Sequence, residues 1–434
     1  MSTSTNYTPP VLPIVQHAPG APPHRLAVLT SHPIQYQAPL FRKLAAHPRI
    51  DLTVYFCSER GLVPTMDDGF GVMFAWDTPL LEGYKHVFLS NLSPAPGSNG
   101  FWHAINPGIL TELRRDRPDA VLVHGYAQMT NWLAFVGASL LGIPLLLHGE
   151  TFPRPADRSV GSTMKRLLLS TLFRRVSAFL PIGSMSRRFY MDYGIPDDKL
   201  FTAPYSVDNE FFIEETDRRR KERDRLRGNM GLPADLPVIL YASKLIPRKR
   251  PLDLLRAYRR VEDRAGLVIV GDGVLNGEMR AFVKEHGLDN VRFVGFKNQG
   301  QLPRYYAMAD AFALPSAYET WGLVINEAMC AGLPIVTTNA VAASYDLVRE
   351  GDNGYIHPVG NVDALSEALT RLIESPERRR QMGQRSREII SQWSHDACVD
   401  GILRAIDHVT GTAPPAIDRH FATQARPDET RKAA

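Results

Sequence analysis

Residues 311–338 read AFALPSAYETWGLVINEAMCAGLPIVTT, and the rest of the chain can be organised around them. The stretch opens on an apolar run, Ala311 to Leu314, and closes on another, Pro334 to Val336. Between the runs lie a loop and a short helix, ended by Gly332 and then Pro334, the usual punctuation after a helix. That pattern predicts a strand–loop–helix–strand unit of a parallel sheet. Glu319 lies in the loop and Glu327 in the helix, with seven residues between them. A helix beginning near Gly322 leaves the amides of Trp321, Gly322, Leu323 and Val324 without intrahelical partners. The same end carries the positive end of the helix dipole, so an anion, most simply a phosphate, belongs there. Free amides flanked by two carboxylates suit a ligand with phosphates and several hydroxyls, as a nucleotide sugar has.

Outward from this unit, the chain of 434 residues exceeds what one core usually supports, so two domains are expected. Strand-like and helix-like segments alternate from Arg25 to Ile182 and again from Val238 to about His408. Runs such as Ala120–Val123 and Leu145–Leu147 are continuously apolar, which predicts parallel sheets covered on both faces. The fold class is therefore α/β, with two Rossmann-like parallel-sheet domains facing across a cleft. The boundaries read as a Pro-rich leader over 1–24, a first domain over 25–205 and a second over 206–376. Closing helices follow over 377–410, expected to cross back to the first domain, and then a tail over 411–434. The charged block Asp217 to Arg227 is read as the crossing between domains.

Composition removes several function classes. A net charge of +4 is too mild to argue for nucleic acid. The three cysteines, Cys57, Cys330 and Cys398, have neither metal-ligand nor disulfide spacing, which fits a reducing compartment. No stretch approaches the roughly 20 apolar residues of a membrane span, and the leader has six prolines and no lysine or arginine, unlike a secretory signal. A cytoplasmic protein is expected. Residues 164–175, MKRLLLSTLFRR, have an apolar stripe with basic flanks. They admit either a core-packed helix or peripheral contact with an anionic membrane on its inner face.

Three groups carry candidate chemistry. A second-half strand runs into Ser243-Lys244-Leu245-Ile246-Pro247-Arg248-Lys249-Arg250, whose cations suit a diphosphate, or else form a solvated basic loop. Glu327 either serves a ligand or merely complements the dipole of its helix. In the first half, strand ends carry Ser31 to Gln37, His124-Gly125-Tyr126 and His148-Gly149-Glu150. A strand-end histidine with a carboxylate two residues on either polarises a substrate or bonds nearby backbone. No GxGxxG follows a strand, and HExxH, CxxC and a Ser-His-Asp order are missing, so dehydrogenase, metal and hydrolase readings lack support.

Glu319-Thr-Trp-Gly-Leu-Val-Ile-Asn-Glu327, with Val291–Phe296, Asp310–Ser316, Gly351–Gly354 and Pro204–Asp208, resembles the E-x7-E pattern of retaining glycosyltransferases of family 4. Those enzymes have the GT-B fold, and the resemblance covers about residues 25 to 410. It implies that Glu327 holds the donor ribose and Glu319 the hydroxyls of the transferred sugar. It implies that the amides of Gly322, Leu323 and Val324 meet the diphosphate, with Lys244 and Lys249 neutralising it. Val294 and Phe296 would border the base, and His148 would stand near the transferred sugar. Ser243-Lys244-Leu245 and Lys249-Arg250 stand where relatives usually have Gly-Arg-Leu and Lys-Gly. Ser31–Gln37 replaces a Gly-Gly loop, so acceptor-side contacts fall to His32, Gln35 and Tyr36. The resemblance implies transfer from a nucleoside-diphosphate sugar to a glycan or lipid-linked acceptor, with no metal or other cofactor and no nucleic acid. Alternatives are a non-catalytic subunit of a polysaccharide-assembly complex and a sugar-nucleotide epimerase.

Overall fold

The computed structural model describes residues 22–412 apart from 68, 96–99 and 154–159. Most of the expected leader and tail thus lies outside the described residues, and the first strand already begins at His24.

Two six-stranded parallel sheets form the molecule. The first contains β1 (His24–Thr30), β2 (Ile50–Phe56), β5 (Lys85–Phe88), β6 (Ala120–His124), β7 (Leu145–Gly149) and β8 (Ala178–Pro181). A small antiparallel hairpin, β3 (Thr65–Asp67) and β4 (Val72–Phe74), is inserted between β2 and β5. The second sheet contains β9 (Val238–Ala242), β10 (Gly266–Val270), β11 (Val291–Gly295), β12 (Ala311–Leu314), β13 (Ile335–Thr338) and β14 (Gly354–His357). The spatial orders are β5-β2-β1-β6-β7-β8 and β11-β10-β9-β12-β13-β14. In each sheet the winding reverses beside the first strand, between β1 and β6 and between β9 and β12. Ligands bind outside the carboxyl ends of strands at such reversals.

The strand sequences explain their position. Every residue of β7, β9 and β10 is buried, as strands covered on both faces require. One apolar cluster forms around the second sheet, and two others occupy opposite faces of the first.

Most expected elements are present, with ends moved by up to four residues. The hairpin is new: three-residue strands with half-exposed side chains carry no apolar period to read. The charged block expected as a crossing is helical, over Asn209–Arg220 and Arg223–Asn229. The Asp208 carboxylate caps the first of these by accepting from the Phe211 amide at 3.1 Å.

The closing stretch divides. Helix Pro376–Ile390 packs on the second domain through Met382, Ile389 and Ile390. Helix His395–Thr410 alone crosses back, burying Cys398, Val399 and Ile402 in the first core. It lies so close to the chain at Thr202 that a Cβ on Gly401 would stand 2.0 Å from the Thr202 carbonyl oxygen. At the crossing, Trp393 stacks on Trp321 of the opening stretch, with centroids 5.1 Å apart.

Candidate active site

The helix of the opening stretch runs Leu323–Cys330, and Gly322 precedes it at φ 106°, a left-handed conformation that disfavours a side chain. The glycine turns the chain sharply enough for the first-turn amides to face the cleft at the carboxyl end of β12. Leu323 and Val324 begin the helix, as expected.

Behind that first turn, Glu327 is buried and accepts from Tyr306 Oη at 2.6 Å. Burial raises its pKa to about 7, against the Tyr306 hydrogen bond, which lowers it. Glu319 is also buried, its backbone amide held by the Ala340 carbonyl. Its carboxylate forms an ion pair with Lys249 and accepts from Arg248 Nη1 at 3.3 Å. Lys249 is itself buried, and desolvation depresses its pKa while Glu319 opposes that. The basic loop is therefore no solvated patch: it is pinned to the first carboxylate of the E-x7-E pair.

Lys244 faces differently. Its ammonium bonds both Asp67 oxygens, at 2.7 and 3.0 Å, and stands 4.8 Å from the Phe70 ring. Asp67 and Phe70 belong to the β3–β4 hairpin, so an arm of the first domain lies across the second. Burial would raise the Asp67 pKa, but Lys244 and the amides of Phe70 and Gly69 hold it below the usual carboxylate value. Phe296, just past β11, meets Phe70 and Phe74 at 4.8 and 4.6 Å between centroids. Val294, within β11, is partly buried against the second core. Asn298 Nδ2 donates to the Ala75 carbonyl at 2.7 Å, and the Gly300 amide to Asp77 at 3.1 Å. The arm thus covers the lysine and the β11 end expected to meet the diphosphate and the base.

Across the cleft a cavity of about 400 Å3 opens between the carboxyl ends of β1, β6 and β7. His148 lies in its wall, buried, with Nδ1 3.3 Å from His124 Nδ1 and Nε2 3.4 Å from the Ala203 carbonyl. Burial lowers its pKa to about 4, so the imidazole is neutral near pH 7. Glu150 accepts from Tyr205 Oη at 2.5 Å and from Thr320 Oγ1 at 3.2 Å. It therefore ties the first domain to the interdomain segment and to the loop that carries Glu319.

Of the expected acceptor-side residues, Tyr36 packs edge-on against Tyr205, and its carbonyl accepts from His395 at 3.1 Å. His32 is held by Ser31 Oγ at 2.8 Å. Neither these two nor Gln35 lines the cavity; Ser31, Ile34 and Gln37 of that loop do, with His124, Gln128 and Asn131. Sequence reasoning also missed Asp67 and Tyr306, and within the Ser31–Gln37 loop it singled out His32, Gln35 and Tyr36 in place of Gln37. Only the aromatic density of Phe70, Phe74 and Trp76 beside Gly69 and Gly71 hinted at an arm. No group of three His, Cys, Asp or Glu side chains among the described residues is placed to hold a metal ion.

Two facing sheets of this winding make the GT-B fold, with the basic loop and E-x7-E pair at one switch point and a histidine-walled cavity at the other. Residues 222–389, most of the second domain and the helix that follows it, match the model of the family Glycosyl transferases group 1. It is 27% identical over 353 residues to a D-inositol 3-phosphate glycosyltransferase of Thermomonospora curvata, covering 73% of this chain and 79% of the relative. It is 32% identical over 228 residues to a GDP-mannose-dependent alpha-(1-6)-phosphatidylinositol monomannoside mannosyltransferase of Mycobacterium tuberculosis, over 50% of this chain and 57% of that one. Among solved structures, Anabaena Alr3699/HepE in complex with UDP has the same fold, with a TM-score of 0.68 and 19% identity over 88% of this chain and 99% of that one.

Proposed function

We propose that this protein moves a glycosyl group from a nucleoside-diphosphate sugar to a hydroxyl of a glycan or lipid-linked acceptor, with retention at the anomeric carbon. One observation carries the reading. Lys244, the Lys249–Glu319 pair, Glu327 and the first-turn amides of Leu323–Cys330 converge on one sheet edge, opposite the cavity walled by His148.

In this reading Glu327 takes the ribose hydroxyls and Glu319 those of the transferred sugar. As the anomeric C–O bond breaks, its electron pair passes to the diphosphate. Lys244, Lys249 and the helix amides stabilise that charge, the kind of fixed electrostatic contribution that is usually the largest in catalysis. The acceptor oxygen bonds the anomeric carbon on the same face, and its proton passes to the departing phosphate oxygen. Neutral His148 is a hydrogen-bonding group beside the sugar, not a cation. No step requires a metal ion, because the lysines and helix amides supply the positive charge.

The cavity walls suit a hydroxylated acceptor: Gln37, Gln128, Asn131 and the two histidines offer donors and acceptors. Peripheral membrane contact is part of the proposal. Met164, Leu167 and Leu168 are exposed on helix Val160–Phe173, beside Lys165, Arg166 and Arg174, while Leu169 and Leu172 face the core. Among the described residues no helix is long and apolar enough to cross a membrane.

A thermal-shift panel of UDP, GDP, ADP and their sugars, followed by assays with soluble and lipid-linked acceptors, tests the reading. Nucleoside diphosphate released only when acceptor is present is the expected result. Binding without release under any acceptor would favour a non-catalytic role.

A further inference from the structure

On the far side of the second sheet, at the amino ends of β12 and β13, lies a second cavity of about 560 Å3. Helices Asn209–Arg220 and Pro376–Ile390 form its walls, and Ala309, Asp310 and Gly332 its floor. The donor groups described above sit at the opposite, carboxyl ends of the strands, so the two sites are separated by the length of the strands.

The lining is unusually basic. Arg220, Arg223, Arg379, Arg380 and Arg387 face it; Arg380 pairs with Glu377 outside the lining, and the lining itself holds two carboxylates, Asp217 and Asp310. Each of those carboxylates is already shared. Asp217 takes both Arg387, at 2.5 and 3.0 Å, and Arg220, at 3.5 Å. Asp310 takes Arg223 and, from behind the cavity wall, Arg227 at 2.5 Å. Arg379 bonds the carbonyls of Leu372 and Ile373, at 2.8 and 2.7 Å, which cancel no charge. Burial and the neighbouring guanidiniums together depress Arg220 and Arg379. Like charges gathered in a half-buried pocket oppose folding, and a multiply charged anion relieves them. Guanidiniums bind phosphate oxygens in pairs, and the volume accommodates a small phosphorylated molecule.

From this excess we infer that the arginine cavity is a second anion site, distinct from the donor site, for a soluble molecule bearing two or more phosphate groups. Helix Pro376–Ile390 already lies against Gly332, just past the helix that carries Glu327, with a Cβ on Gly383 falling 2.1 Å from the Gly332 carbonyl oxygen, so occupancy would bear on that contact. The inference does not depend on the proposed reaction.

Calorimetric titration of the full chain with inorganic pyrophosphate tests it. Two sites per chain are expected. Arg379→Gln and Arg380→Gln should each weaken one of them at least fivefold, and Lys244→Ala should weaken only the other. Arg380 is exposed and its carboxylate partner is Glu377, one turn away, so Arg380→Gln keeps the fold even if Arg379→Gln does not. Arg379→Lys, which retains the charge without the fork, should fall between wild type and glutamine. A single site that responds to Lys244→Ala and to neither arginine change would overturn the inference. So would wild-type binding to phosphatidylglycerol vesicles that both arginine variants lose, with no second pyrophosphate site, since the anion would then be a headgroup. Loss of the Lys244-dependent site alone would count against the donor assignment and leave the arginine site standing.

Discussion

At the scale of single residues, the buried ion pair Lys249–Glu319 has consequences that the spacing alone hides. Both groups are removed from water, so deleting Glu319 strands Lys249, and deleting Lys249 leaves Glu319 only the longer contact at 3.3 Å to half-exposed Arg248. Breaking such a pair costs on the order of 3–5 kcal/mol. Lys249→Ala should therefore lower both turnover and the denaturation midpoint, whereas Lys249→Ala combined with Glu319→Gln should recover much of the stability and none of the transfer. Urea titrations beside activity assays separate the two losses. Glu327 makes a pH prediction. Its folded pKa, about 7, lies above the ordinary glutamate value, so the native state binds the extra proton. That contribution is fully present below pH 4.5 and is lost as pH rises through 7. Asp346, also raised to about 7 by burial, adds to the same trend. Glu327→Gln should flatten the fall in stability between pH 5 and 7, and an unchanged slope would contradict the burial argument. If Glu327 holds the ribose, Glu327→Ala should also weaken nucleotide binding at least tenfold by calorimetry.

At the scale of elements, the β3–β4 arm and the closing helix are two of the parts that join the domains. The arm places the Asp67 carboxylate on Lys244, where a donor phosphate would otherwise bond. The pair is partly exposed, so it is worth about 1 kcal/mol or less. Asp67→Asn should accordingly tighten donor binding by about two- to fivefold; weaker binding would mean that the arm helps to hold the donor. The closing helix depends on one close approach, Gly401 against the Thr202 carbonyl. Gly401→Leu would force the helix away from β8 and should cost about 2 kcal/mol or more, readable as a lower Tm.

At the scale of the whole molecule, the cleft is bridged by contacts from both sides: Glu150 to Thr320, the Ser184 amide to Asp346 at 3.0 Å, and Asn326 to the Tyr205 carbonyl at 3.0 Å. Both the fold and the candidate donor groups were legible in the sequence for one physical reason. Apolar strand runs, the Gly322 turn and the E-x7-E spacing are local patterns, and local chemistry determines which segments become strands, helix starts and strand-end loops. That determined two parallel α/β domains, the carboxylate pair, the basic loop and His148. Only the tertiary structure decided which groups pair. Lys244 meets Asp67 from 177 residues away in sequence, and His395 fixes Tyr36 from 359 away. Gln37 and His124, and not Tyr36, line the first-domain cavity because the loop after β1 turns Tyr36 toward Tyr205. Such pairings depend on how two sheets and one crossing helix are packed, and no stretch of sequence contains both partners.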